Sequence, residues 1–247
     1  IRLMITVYWS PVINVADNQE FVSELKYFAP ESIYKDMNAK QFFGLGASIC
    51  PAIIDEAKNT FSAKSPIDFH IEFDYQKQSA MSKYDVDPQF LLHYIGEPNE
   101  EGVHQLDHPC FLFYSPDDIT MTQLPPYYEQ NHFQANCMGL SGTYNITSWI
   151  RPVRPAFKFK DNVSMLDIKR GDTVSYFRFN TKEKVKLVRF DSAGLFESKT
   201  GPVMQCLGYK NLKAKRFVPT PLVECYEAFR KANYKKRIMK YIEENIV

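Results

Sequence analysis

Apolar and polar positions alternate most regularly over residues 66–74, where Ile67, Phe69, Ile71 and Phe73 interleave with Asp68, His70, Glu72 and Asp74. A period of two puts one set on each face, the pattern of a half-buried antiparallel strand. An opening strand is expected over 2–9, and further short β-patterned runs at 89–95, 110–114, 120–124, 148–153, 156–159, 164–168, 173–179 and 185–190. Turn chemistry at Asp161-Asn162, Gly171-Asp172 and Asn180-Thr181-Lys182 separates the later ones. Many short strands with turns between them point to a sandwich or roll rather than a parallel sheet. Residues 76–88 are polar and read as a surface excursion.

Helical spacing is confined to the two ends. Phe21, Val22, Leu25 and Phe28 recur as on a helix over 18–28, and Pro30 closes it by disfavouring the α conformation in the residue before it. A loop around Gly44-Leu45-Gly46 leads to Cys50-Pro51 and a short helix through Lys58. Near the other end, Thr220 is a good N-cap with Pro221 in the first helical position. Leu222, Tyr226, Phe229, Ile238, Tyr241 and Ile242 then form an apolar stripe. The expected architecture is one α+β domain over 1–247, with an N-terminal strand and helices at 1–59. A mainly antiparallel, jelly-roll-like β-sandwich or β-roll follows at 60–192, then a linker and basic amphipathic helix at 193–247.

Composition supports a packed core, with 45% apolar and 15% aromatic residues, and excludes disorder for most of the chain. No stretch approaches the roughly 18 consecutive apolar residues of a membrane-spanning helix, so no membrane association is expected. Charge changes the picture more. The net value of +1 conceals 8 Lys+Arg against 19 Asp+Glu in residues 1–129, or −11, and 22 against 10 in the remainder, or +12. Such asymmetry marks an interaction tail or a self-complementary assembly. Ten cations (Lys210, Lys213, Lys215, Arg216, Arg230, Lys231, Lys235, Lys236, Arg237 and Lys240) face only Glu224 and Glu227 within residues 210–240. On one face they would form a phosphate-binding footprint. The other readings are a protein partner, including the chain's own acidic half, and a plain solvated surface.

The five cysteines, Cys50, Cys110, Cys137, Cys206 and Cys225, are widely spaced and include no C-x-x-C pair, so reduced thiols in a cytosol are expected. The sequons at Asn145 and Asn162 are then chance matches. Neither a dinucleotide fingerprint, a phosphate loop nor a nucleophile elbow is present, which argues against those enzyme classes.

Three groups could still carry chemistry. His70 and Glu72 share a strand face about 7 Å apart and could ligate a metal with His104, His108 or His132 as the third donor. The plainer reading is a solvent-facing strand. The loop His104–His108, with Asp107, is a second ligand-capable cluster, and Asp117-Asp118 is either a cation site or a capped turn. Leu124-Pro125-Pro126-Tyr127-Tyr128 is a stiff, aromatic segment that could present tyrosines to a ligand or cover an open end of the fold. If it meets Trp149, Arg151, Arg154 and His132, those residues line the best candidate pocket. No cofactor is implied.

Read in order, Pro30-Glu31-Ser32-Ile33-Tyr34-Lys35-Asp36-Met37, Ile49-Cys50-Pro51-Ala52, Ser65-Pro66-Ile67-Asp68, Leu124-Pro125-Pro126-Tyr127-Tyr128 and Ile168-Lys169-Arg170-Gly171-Asp172-Thr173-Val174 resemble a group of uncharacterised proteins of tailed bacteriophages, including those of marine cyanobacteria. The last string also resembles the strand entry of β-rolls such as cupins and the dUTPase-like fold, without their metal and nucleotide motifs. The resemblance implies a phage-encoded protein and brings no activity or catalytic residue with it; the leading expectation is a non-enzymatic binding protein, a virion component or host-directed accessory factor, in the virion or the cytoplasm of the infected or producing cell. A metal-dependent β-roll enzyme and nucleic-acid binding through the basic helix are the alternatives.

Overall fold

A run that is apolar at every position, such as Phe111-Leu112-Phe113-Tyr114, has no polar face to give to water and must be covered on both sides. All four residues are buried, and their alternation feeds two different cores. In the computed structural model residues 4–12, 27–35, 50–74, 79–82, 95, 99–148, 150–163, 165–197, 208–211, 216–219, 227 and 234–247 are described.

In chain order the elements begin with β1 (Met4–Pro11), β2 (Glu31–Ser32), α1 (Pro51–Lys58), β3 (Thr60–Lys64), β4 (Phe69–Asp74), β5 (Ser79–Ser82), β6 (His104–Gln105), β7 (Phe111–Tyr114) and β8 (Thr120–Leu124). They continue with α2 (His132–Asn136), β9 (Cys137–Gly139), β10 (Gly142–Asn145), β11 (Pro152–Val153), β12 (Ala156–Phe159), β13 (Met165–Ile168), β14 (Thr173–Phe179) and β15 (Lys184–Arg189). The last are α3 (Ala193–Glu197), β16 (Gly208–Asn211), β17 (Arg216–Pro219) and α4 (Tyr234–Glu244).

The fold is α+β with mostly antiparallel sheets. A four-stranded sheet runs β11-β7-β1-β15 and a five-stranded sheet β10-β8-β14-β3-β2. The described residues also form two three-stranded sheets, β6-β12-β9 and β13-β4-β5, and the β16-β17 hairpin. One pair departs from the expected antiparallel scheme, since β1 and β15 run parallel from Met4↔Lys184 to Trp9↔Arg189. A parallel pair needs a long crossover, and here nearly the whole chain between the two strands supplies it, so no local pattern reveals it. The opening strand thus lies between β7 and β15, inside a sheet of the β region rather than before it.

Residues of the two larger sheets share one core. Ile5, Val7, Trp9, Phe111, Phe113, Val153 and Val185 come from the first, and Phe61, Ala63, Met121, Phe177 and Phe179 from the second. Phe113 and Phe177 meet edge to face with centroids 4.8 Å apart. Each fully buried side chain of this size contributes about 1.5–3 kcal/mol of transfer free energy. On its other face the four-stranded sheet carries Leu112 and Tyr114 against Ile238 and Ile242 of α4, with Tyr8, Met239 and Tyr241 packed alongside. A third core joins Phe69, Ile71, Leu166 and Ile168 of β4 and β13 to Phe133 of α2 and Phe157 of β12.

Several expected bounds hold within a residue or two, at β7, β8, β12, β14 and α1. The strand expected over 66–74 starts only at Phe69, because Pro66 and Ile67 form a bend after Ser65. The strand expected over 148–153 shrinks to Pro152–Val153, since Asn145 Oδ1 accepts from the amides of Thr147 and Ser148 and holds that stretch in a turn. The turn at Gly171 is as expected and needs its glycine, at φ +93°. The helix over 18–28 and the strand over 89–95 fall largely outside the described residues, as do Thr220 and Pro221.

Candidate interaction surfaces

The outward face of the five-stranded sheet divides in two. With Met121, Phe177 and Phe179 turned inward, Leu124 and Tyr176 face out and are covered by Ile53 and Ala57 of α1, Ile33 and Tyr128. The same face then becomes polar. Thr122 and Thr143 share a hydroxyl hydrogen bond of 3.0 Å, and Asn180 Nδ2 donates to Thr120 Oγ1 at 2.8 Å and Thr122 Oγ1 at 2.9 Å. Thr143 and Asn180 are exposed, so this array of hydroxyls and an amide lies open at the surface.

The proline-tyrosine segment packs over the Tyr176 end of this face. It leaves β8 in a tight turn, with Tyr127 N donating to Pro125 O and Glu129 N to Pro126 O, both at 2.9 Å. The Tyr127 ring packs edge-on against Tyr128 at 4.5 Å and Tyr176 at 5.3 Å. Its hydroxyl donates to Glu56 Oε1 at 3.2 Å, and the same carboxylate oxygen accepts from the Arg178 guanidinium. Tyr176 donates to Glu129 Oε1 at 3.0 Å. Burial raises the pKa of both phenols, and the neighbouring carboxylates raise it further, so each stays a neutral donor. Tyr127 nonetheless keeps 37% of its surface exposed, an aromatic held in place with part of its surface in water.

The sequence therefore points to Tyr127 and Tyr128 but misses Glu56, Tyr176 and Arg178. Arg178 had a signal, being the one charge in the otherwise apolar and hydroxylic β14 run. The other residues of the expected pocket have different neighbours. Arg151 lies over the Tyr144 ring at 5.3 Å, Arg154 Nε pairs with Asp107 Oδ1 at 3.1 Å, and Trp149 is outside the described residues. His132 turns toward β13, where its Nδ1 accepts from Asp167 N at 3.1 Å and lies 3.0 Å from Asn136 Nδ2.

His70 and Glu72 do meet, Nε2 to Oε1 at 3.2 Å, while His70 Nδ1 lies 3.6 Å from Asp167 Oδ1 on the paired strand β13. His70 is buried, unlike a residue of a plain solvent face. Partial burial pushes the Asp167 carboxyl up, but Lys169 and His70 outweigh it and hold it below its ordinary value. His104 stacks on Phe157 at 5.6 Å, and His108 Nδ1 contacts the Tyr27 hydroxyl. Among the described residues no three His, Cys, Asp or Glu side chains are grouped so as to hold a metal ion. Asp117 and Asp118 line a shallow cleft of about 490 Å³ with Ile5, Asn180 and Glu183, and Ser115 Oγ accepts from Asp117 N at 3.3 Å in a capped turn. Burial pushes the Cys110 thiol up to about 12, which makes it a poor nucleophile despite His108 two residues away.

The C-terminal helix divides cleanly. Ile238 and Ile242 are fully buried against the four-stranded sheet, and Lys235, Lys236, Arg237 and Lys240 are exposed. Lys235 Nζ donates to Pro116 O at 2.7 Å, and Lys240 pairs loosely with Glu244 at 3.8 Å. Arg216 lies on β17, and Lys213 and Lys215 are outside the described residues. Among the described residues no helix is long and apolar enough to cross a membrane. No family model matches the chain, and no curated protein or solved structure matches it.

Proposed function

We propose that this chain is a phage-encoded, non-enzymatic binding protein, a virion component or host-directed accessory factor that acts through protein contacts at the Tyr127 ledge and the hydroxyl array beside it. The observation that carries the reading is Tyr127, partly exposed yet fixed by Glu56 and Tyr176. Tyrosine brings large contact area at low cost in side-chain entropy, and it is enriched at protein interfaces. Thr122, Thr143 and Asn180 extend the ledge with groups that can exchange their mutual hydrogen bonds for bonds to a partner. The two larger sheets, sharing the core around Phe113 and Phe177, are read as a β-sandwich whose rigid outer layer supports this surface. The phage assignment itself rests on the sequence resemblance.

The test is a full chain carrying a photoreactive phenylalanine derivative at position 127, expressed in the producing cell and irradiated. A discrete cross-linked protein is expected, absent when Thr122→Lys and Thr143→Lys are added. Cross-linking no stronger than from the exposed control position Glu101 counts against the ledge. For the metal-dependent enzyme, elemental analysis decides, since stoichiometric iron or zinc retained through purification and lost in His70→Ala would favour it.

A further inference from the structure

The basic face is larger than the helix. On β15, Val185 and Leu187 pack inward against the core shared by the two larger sheets, so Lys184 and Lys186 point to the opposite side. Their partners on β1 are Met4 and Thr6, and the next in that row, Tyr8, packs against the cluster containing Ile238 and Ile242. Lys184 and Lys186 therefore stand on the same side of the sheet as α4. Contacts at the start of the helix set the level. Lys235 bonds to Pro116 O, the adjoining Ser115 Oγ donates to Thr6 O at 2.9 Å, and Thr6 is the register partner of Lys186. At about 4.8 Å between neighbouring strands, Lys186 lies roughly 10 Å across the sheet from that point.

We infer that Lys184, Lys186, Lys235, Lys236, Arg237 and Lys240 form one continuous face that binds the phosphate backbone of a nucleic acid. This surface is distinct from the tyrosine ledge and does not depend on it. All six residues are exposed, and the exposed acidic residues next to them among the described residues include Glu183 beside Lys184, Glu243 and Glu244 near the helix end, and Asp191, whose amide bonds to Asn245 O just past the helix. The Lys240–Glu244 pair is open to water and yields readily to phosphate. The kind of cation selects the partner. Five of the six are lysines, which are depleted at protein interfaces but suit phosphate as mobile point charges. Lys184 and Lys186 are about 7 Å apart along their strand, and Lys236 and Lys240 about 6 Å apart along the helix, spacings of about two nucleotides of one duplex strand.

Fluorescence anisotropy of the full chain with a labelled 20-base-pair duplex tests this. With about five phosphate contacts, affinity falls roughly 500-fold between 50 and 200 mM salt. The pairs K184Q/K186Q and K236Q/K240Q each flatten the log–log salt slope by about 1.8 and weaken binding roughly 60-fold at 100 mM salt, whereas K184R/K186R binds like the parent. Absence of binding at 50 mM salt overturns the inference. A slope unchanged in K184Q/K186Q removes the sheet from the face and overturns it as stated. Polyglutamate of matched charge binding as tightly as the duplex overturns it in favour of an acidic protein surface. Photocross-linking from position 127 is unaffected by either lysine pair, so failure here and failure at the ledge are separate results.

Discussion

The outer faces of the two larger sheets are covered in opposite ways. The four-stranded sheet is closed by α4 through aliphatic side chains, Ile238 and Ile242 over Leu112 and Tyr114, with the helix's charges facing away. Among the described residues the five-stranded sheet is covered around Leu124 and Tyr176 by α1 and the tyrosine segment, and its charged and phenolic groups point toward one another in the Glu56, Arg178, Tyr127, Tyr176 and Glu129 network. The first arrangement stabilises through area removed from water. The second adds little net free energy per contact, because each hydrogen bond replaces one to water, yet it fixes side-chain orientation.

The strongest way to break this contrast is at the apolar lid. Ile242→Ala should cost about 2–5 kcal/mol, the range for truncating a fully buried aliphatic side chain, read as a shift in the urea midpoint at unchanged slope. A loss under about 1 kcal/mol would mean that α4 is a removable appendage. On the other sheet, Glu56→Ala should cost about 1–3 kcal/mol, because it leaves a half-buried Arg178 guanidinium and the Tyr127 hydroxyl without their shared acceptor. Glu56→Gln should recover part of that loss, since an amide oxygen can still accept from Tyr127.

Much of the contrast is legible in the sequence, and its gaps have a physical cause. The unbroken apolar run of β7 and the stripe at Ile238 and Ile242 announce burial on two faces and on one, because hydrophobic periodicity is local. The Tyr127-Tyr128 segment is also visible, as stiff aromatic chemistry between strands. Glu56 and Arg178 stand 122 residues apart, and nothing in either neighbourhood says that they meet. Likewise the β1–β15 pairing spans nearly the whole chain and cannot be read from either strand. The lysines of β15 look like ordinary strand-edge charge until the register places them on the side of the helix. Histidine at position 70 misleads in the other direction, since alternation predicts an exposed face and the His70 ring is nonetheless buried, beside Asp167 of the paired strand.

A smaller effect tests the phenolic network. Tyr176→Phe should cost about 1 kcal/mol at pH 7, the net worth of a typical hydrogen bond, because the partly buried Glu129 carboxylate can turn to water instead. Its pH dependence carries more information. Because burial and the Glu129 carboxylate raise the folded-state pKa of Tyr176 above its ordinary value of 10.0, its protonated form contributes stability that is present below pH 10 and lost as pH climbs through the raised folded-state value. Denaturation midpoints of the parent should therefore fall between pH 10 and pH 11 more steeply than those of the Phe variant. Parallel pH curves would mean that the phenol is as accessible to hydroxide in the folded chain as in the unfolded one.

The smallest stability effect is expected where recognition is proposed. Thr122→Val removes a hydroxyl that bonds, among the described residues, to Thr143 and Asn180, two residues that water can serve equally well, so the urea midpoint should move by no more than about 0.5 kcal/mol in either direction. The same change leaves an apolar methyl where a partner would find a donor and acceptor, and a partner group left unmatched there costs about 1–3 kcal/mol. Cross-linking from position 127 should accordingly drop severalfold in Thr122→Val while stability stays put. If stability falls and cross-linking does not, the hydroxyl array braces the sheet edge, and the two outer faces differ only in how they are held together.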